Sequence, residues 1–149
     1  MSDGKSKRKP IIWLLISRFL GLVLFLIMIA VVNFLTLFIH NARFNSGVQF
    51  LNWNIALLIL ISLIFLIGEI FHAFHFPLNL PGPVFDAIAS VFLAVFILRV
   101  FTFLDTVIKG NIFQIITTFS FLIYPAVFTI VLLGGYIVLF ARLSESESS

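Results

Sequence analysis

The chain has 149 residues, of which 62% are hydrophobic and 10% charged, and its formal net charge is +3. A soluble domain usually carries about a quarter charged residues, so the composition excludes that class, and the mean hydropathy of +1.23 indicates a membrane protein. The chain has no cysteine, which excludes disulfides and thiolate metal sites, and it leaves no room for a soluble catalytic or nucleic-acid-binding domain.

The first ten residues form a basic tail in front of the first apolar run. Its cations are Lys5, Lys7, Arg8 and Lys9. Basic residues that flank a membrane span favour the cytoplasmic side of the membrane. The tail therefore either sets the topology alone or also binds anionic lipid head groups.

Four apolar runs follow, and each exceeds the about 20 residues that a spanning helix needs. They cover residues 11–39, 55–76, 84–108 and 112–141. The short connections between them are 40–54, 77–83 and 109–111, and short loops force neighbouring helices to pack antiparallel. We predict an all-α, multi-pass transmembrane domain over 11–141, built as an antiparallel bundle of four helices.

The charge distribution predicts which side the termini occupy. With four spans both tails lie on one side, where Arg142 joins the basic tail, while the opposite side holds Arg43 and Lys109. We therefore expect both termini, including the acidic, serine-rich tail 142–149, in the cytoplasm. The membrane itself is either the plasma membrane or an endomembrane.

Two charged residues lie at matching depth in the first two runs. Arg18 is placed about 10 Å from the inner end of the first run, and Glu69 about 10 Å from that of the second, at about 1.5 Å per residue. Charges inside a bilayer are costly and usually have a partner. The two side chains either form an ion pair between adjacent helices, or Arg18 extends alone towards the lipid head groups.

More titratable groups follow Glu69 along the chain. His72 and His75 succeed it at intervals of three residues, and Asp86 stands just beyond the next turn. Three interpretations are open for this set: head-group contacts, a proton or ion path, or a metal site. The spacing departs from the i, i+4 histidine pair of HExxH motifs, so we predict neither a metal nor another cofactor.

Arg99 is the deepest charge, placed only about 5 Å beyond the bilayer midplane. Its side chain points back towards the centre, so it needs acceptors within the protein. Asp105 is an imperfect partner, 120° away around the helix, and at i, i+4 it suits Lys109 better. Further candidate acceptors are the hydroxyls of Ser62, Thr117, Thr118 and Ser120. Arg99 either forms a buried pair with a structural role or belongs to a functional polar site.

Small residues predict close helix contacts. Ser90 and Ala94 are spaced i, i+4 with Ala87 nearby, and two adjacent glycines stand at 134–135. Pro125 is expected to kink the last helix.

Two stretches resemble MARVEL-type four-helix membrane proteins, in particular those of fungi. They are Ser17-Arg18-Phe19-Leu20, near the start of the first helix, and the run from Phe85 to Phe92 that opens the third with Asp86. The resemblance spans 17–141 in outline. It implies a non-enzymatic role in membrane organisation, through lateral domains, vesicle traffic or membrane apposition.

Two functions from different classes remain open. The first is a non-enzymatic membrane-organising protein or accessory subunit, whose partners are the lipid bilayer, other membrane proteins or further copies of itself. The second is a small proton- or ion-coupled transporter or channel that uses Glu69, His72, Asp86 and Arg99. Convergence of these charged residues on one water-accessible cavity would favour transport, and their dispersal into separate pairs would favour the first function.

Overall fold

The computed structural model describes residues 11–111 and 113–147, and every regular element in that part of the chain is a helix. The helices are α1 (Ile11–Leu35), α2 (Ala42–Ala73), α3 (Gly82–Ile108), α4 (Gln114–Thr118) and α5 (Ser120–Glu147). Four of them, α1, α2, α3 and α5, are long and apolar enough to cross a membrane. This confirms the prediction of an all-α chain with four candidate transmembrane helices. The basic tail 1–10 and residues 148–149 lie outside the described residues.

Helix α2 begins much earlier than the sequence predicted. Residues 42–54 were expected in a loop, but they form the first turns of a helix of 32 residues. Asn41 caps it, because its side-chain oxygen accepts hydrogen bonds from the backbone N–H groups of Arg43 and Phe44. At about 48 Å, α2 exceeds the about 30 Å of a hydrocarbon core, so it must tilt or project beyond it.

The last predicted span, 112–141, is divided in the structure. The short α4 ends at Thr118 and α5 starts at Ser120, with Phe119 between them. The break falls before Pro125, which lies in the second turn of α5. At the other end the helix continues to Glu147, so most of the predicted tail 142–149 is helical.

The turns near both ends of α2 also differ from prediction. Helix α1 ends at Leu35, four residues before the predicted end at 39. Helix α2 ends at Ala73, so His75 lies in the turn that leads to α3. Pro83 occupies the first turn of α3, where its missing N–H would have no helical partner.

The long helices contact one another in the order α1, α2, α3, α5. Within the described residues, α1 contacts α2, α5 contacts α3 and α4, and no contact joins α1 to α5. Contacts between α2 and α3 run in opposite order along the two helices. Phe50 stacks on Phe103 at one end, and Phe71 stacks on Phe85 at the other, with ring centroids 4.6 and 5.3 Å apart. The helices thus form an open row with α2 and α3 inside.

Small residues bring α3 close to both of its long neighbours. Ala87 and Ala89 are fully buried, and Ala94 is buried as well. A Cβ on Gly82 would lie 2.7 Å from Cε1 of His72, and a Cβ on Gly135 would lie 2.8 Å from Cβ of Pro83. Without a side chain at these positions, the backbones approach closely enough for tight packing.

A hydrogen bond and this close contact join α5 to the turn between α2 and α3. The hydroxyl of Tyr136 donates to the carbonyl oxygen of Leu80 at 3.2 Å. The adjacent residue, Gly135, is the one in contact with Pro83. Together they set where α5 lies along α3.

The two glycines at 134–135 provide a matched test of this packing. We expect Gly135→Ala to lower the free energy of unfolding by roughly 1–3 kcal/mol, because the added methyl overlaps the rigid ring of Pro83. Gly134→Ala is the control, since a Cβ there meets nothing within 4 Å and alanine favours a helix. Unfolding in a detergent titration, followed by circular dichroism, measures both. Equal stability of the two variants would contradict the assigned contact.

Candidate functional site

Arg18 and Glu69 join α1 to α2 through a two-point ion pair. Nε of Arg18 donates to Oε2 of Glu69 at 2.9 Å, and Nη2 of Arg18 donates to Oε1. The side chains are 54% and 27% exposed, so the pair lies at the edge of the helix contact. Parallel bonds of this kind fix the orientation of both groups and satisfy two charges within a membrane-spanning segment.

His72 and Asp86 form a second pair, between α2 and α3. Nε2 of His72 lies 2.7 Å from Oδ2 of Asp86. Two glycines provide the room: the His72 ring lies against Gly82, and Asp86 lies against Gly68. The predicted set of Glu69, His72 and Asp86 is therefore split between two helix contacts. Across the described residues, no group of three potential ligands meets as a metal site would require.

Arg99 is held by an acceptor that the sequence analysis did not identify. Its Nη1 donates to Oδ1 of Asn54 at 2.9 Å. Asn54 is only 3% exposed, and its Nδ2 donates in turn to the carbonyl oxygen of Phe50 at 2.8 Å. Asn54 was assigned to a loop, so its position on α2, opposite Arg99, was missed. The sequence did contain a signal for this helix, since Asn41, thirteen positions earlier, is a residue type strongly preferred at helix N-caps.

Asp105 stabilises the turn after α3 and forms an ion pair with neither Arg99 nor Lys109. Its two carboxylate oxygens accept the backbone N–H of Phe113 at 3.1 and 3.2 Å, just before α4 begins. The i, i+4 spacing favoured Lys109 as its partner, but no ion pair joins these two residues among the described ones. Lys109 instead ends α3 in a left-handed conformation, with φ of 56°.

A cavity of about 790 Å³ lies beside Arg99, between α2, α3, α4 and α5. Polar side chains line much of it: Ser46, Gln49, Asn54, Arg99, Thr102, Thr106, Thr117, Ser120 and Tyr124. Glu69, His72 and Asp86 are not part of its wall. Of the hydroxyls predicted to serve Arg99, Thr117 and Ser120 line this cavity, while Ser62 and Thr118 donate to carbonyls of their own helices.

Comparison of the chain with protein-family models, with curated proteins and with solved structures finds no match. The described residues contain four helices able to span a membrane, and polar side-chain pairs join neighbouring helices: Arg18 with Glu69, Asn33 with Asn52, His72 with Asp86, and Arg99 with Asn54.

A double-mutant cycle measures the pair between Arg18 and Glu69. We expect Arg18→Gln and Glu69→Gln each to destabilise the protein, because each leaves a charge without its partner in a membrane-spanning segment. The double variant should lose less than the sum of the two, with a coupling free energy of about 1 kcal/mol.

Unfolding in a detergent titration supplies the four free energies of the cycle. Additive effects would show that the two side chains do not stabilise each other. The same cycle on Arg142 and Glu69 is the control and should show no coupling, since no ion pair joins these two residues.

Proposed function

We propose that this chain is a non-enzymatic, multi-pass membrane protein that organises its membrane or serves as an accessory subunit of a membrane complex. In this proposal the neighbouring helices are antiparallel spans and both termini lie in the cytoplasm. The opposite order of the contacts along α2 and α3 supports the antiparallel arrangement. The excess of basic residues in the two tails supports the orientation.

The dispersal of the polar groups is the observation that carries the proposal. Arg18 binds Glu69 between α1 and α2, whereas His72 and Arg99 bind different partners at opposite ends of the contact between α2 and α3. Asp86 and Arg99 are about 20 Å apart along α3. A proton or ion path needs a continuous series of polar groups, whereas separate pairs stabilise helix contacts.

The lipid-facing surface points to the same function. Helices α1 and α5 form the two flanks of the row, and each presents many exposed apolar side chains, among them Phe19, Leu24, Phe121 and Ile130. Such flanks contact lipid or further helices without any catalytic group. The resemblance to MARVEL-type proteins around Arg18 and Asp86 implies the same kind of role.

The alternative is a small proton- or ion-coupled transporter. The polar cavity beside Arg99 favours it, because a charged residue next to a cavity is common in transport paths. Against it, Glu69, His72 and Asp86 lie outside that cavity, so the residues that would carry protons are not connected with Arg99.

Flux measurements separate the two functions. We expect liposomes that contain the purified protein to show no proton or cation flux above that of empty liposomes, because the charged residues are dispersed. Glu69→Gln and Arg99→Gln should leave this result unchanged. Circular dichroism shows that each sample is folded, and an added ionophore shows that the liposomes hold a gradient. Flux that the wild type carries and either variant loses would establish transport instead.

Single cysteines test the proposed association, since the chain has none of its own. We expect Leu24→Cys and Ile130→Cys, on the exposed faces of α1 and α5, to give crosslinked products of discrete mass in the native membrane. Ala89→Cys is the control, because Ala89 is fully buried. Denaturing gels after treatment with a bifunctional thiol–amine reagent show the products. If neither flank yields a protein adduct, the accessory-subunit role is wrong.

A further inference from the structure

Arg99 has hydrogen-bonding capacity that the protein itself does not use. The hydrogen bond to Asn54 occupies one N–H of a guanidinium that has several, arranged in a planar fork. Asn54 is neutral, so this contact orients Arg99 without balancing its charge. Arg99 itself lines the cavity, so the other N–H donors of its guanidinium lie in the cavity wall.

Three more side chains bring unused donors to the same cavity. Ser120 and Tyr124 are one turn apart on α5, both half-buried, and Gln49 lies on α2. None of the three makes a side-chain hydrogen bond to another described group. By contrast, the hydroxyls of Ser46, Thr102, Thr106 and Thr117 already donate to carbonyl oxygens of their own helices. The unused donors around the cavity therefore include those of Arg99 on α3, Gln49 on α2, and Ser120 and Tyr124 on α5.

The charges around the cavity favour an anion. Arg99 is the charged residue in the wall, and no carboxylate lines the cavity in the part of the chain described. Asp105 and Lys109 line an adjoining pocket, which shares Thr102, Thr106 and Thr117 with the cavity. The Asp105 carboxylate is bound to the N–H of Phe113, and Lys109 adds an opposite charge beside it. A cation would meet Arg99, whereas an anion would complete its hydrogen bonding.

The rest of the wall is apolar and suits a hydrocarbon chain. Phe50, Trp53, Leu98 and Phe103 contribute to it, and Trp53 is 75% exposed. The wall thus includes an exposed aromatic side chain that a hydrocarbon chain can contact. A ligand with an anionic head and an apolar tail matches both kinds of surface.

We propose that this cavity binds an oxyanion of the phosphate-ester type, and that Arg99 is its main binding residue. Arg forms paired, charge-assisted hydrogen bonds to such groups, and Ser120, Tyr124 and Gln49 supply further donors. The oxyanion is either the head group of a lipid or a free phosphate. The site is distinct in sequence from the basic tail, which lies outside the described residues.

Native mass spectrometry of the full chain in detergent tests the site with three probes. Phosphatidate carries the phosphate on a lipid, diacylglycerol is the same lipid without phosphate, and inorganic phosphate is the oxyanion alone. We expect phosphatidate to remain bound and diacylglycerol to be lost. Competition by an equal concentration of inorganic phosphate would assign the site to the free oxyanion, and its failure to compete would assign the site to lipid.

Two variants connect the binding to the cavity. Arg99→Gln should weaken binding of the oxyanion about tenfold or more, because it removes the charge-assisted bonds. Ser120→Leu keeps Arg99 but fills the cavity, and it should weaken binding similarly. Arg142→Gln and Thr129→Leu are the matched controls outside the cavity and should bind as the wild type does.

The outcome is decisive because the second variant retains the charge of Arg99, which is exposed beside the cavity, and this variant is expected to fold normally. Melting curves first show which variants are folded. If Arg99→Gln and Ser120→Leu are folded and hold phosphatidate and phosphate as the wild type does, the proposal is wrong. Equal retention of diacylglycerol and phosphatidate would also overturn it, since the phosphate would then contribute nothing.

Discussion

The contact between α2 and α3 is the interaction on which the rest of the structure depends. Gly68 and Gly82 let the two helices approach so closely that side chains of one lie against the backbone of the other. Within that contact lie the pair of His72 with Asp86 and, at the opposite end, the bond from Arg99 to Asn54. In lipid no hydrophobic force drives helices together, so tight packing and polar bonds of this kind supply the attraction.

Close packing and polar bonds also hold the two outer helices. Helix α1 is held to α2 by the exposed ion pair of Arg18 and Glu69, and α5 is held to α3 and its preceding turn through Gly135 and Tyr136. Each outer helix has one long neighbour and a broad exposed face of apolar side chains. The row therefore presents two apolar flanks, while the cavity beside Arg99 lies between its inner helices, α4 and α5.

The contacts of the candidate site that could be predicted were those that depend on the depth of a residue within its apolar run and on the hydrophobic periodicity that marks the helix ends. Arg18 and Glu69 lie at equal distances from the predicted ends of adjacent spans, so counting residues made their ion pair one of two alternatives, and the structure shows the pair. The partner of Arg99 did not follow, because polar residues before 55 were interpreted as a loop, and Asn54 was placed outside the membrane helix. Residues 42–54 instead form the start of α2, which Asn41 caps. This places Asn54 within hydrogen-bonding distance of Arg99.

The sequence by itself determined the helical class, the four apolar helices long enough to span a membrane and the places where charges must be satisfied. These properties are local, since length, hydropathy and the cost of a charge in lipid act on each segment separately. Only the tertiary structure decided which acceptor each charge meets, that α1 and α5 stay apart, and that a polar cavity forms beside Arg99. Those outcomes depend on how small residues such as Gly82 and Gly135 set the distance and rotation between helices, which no single segment specifies.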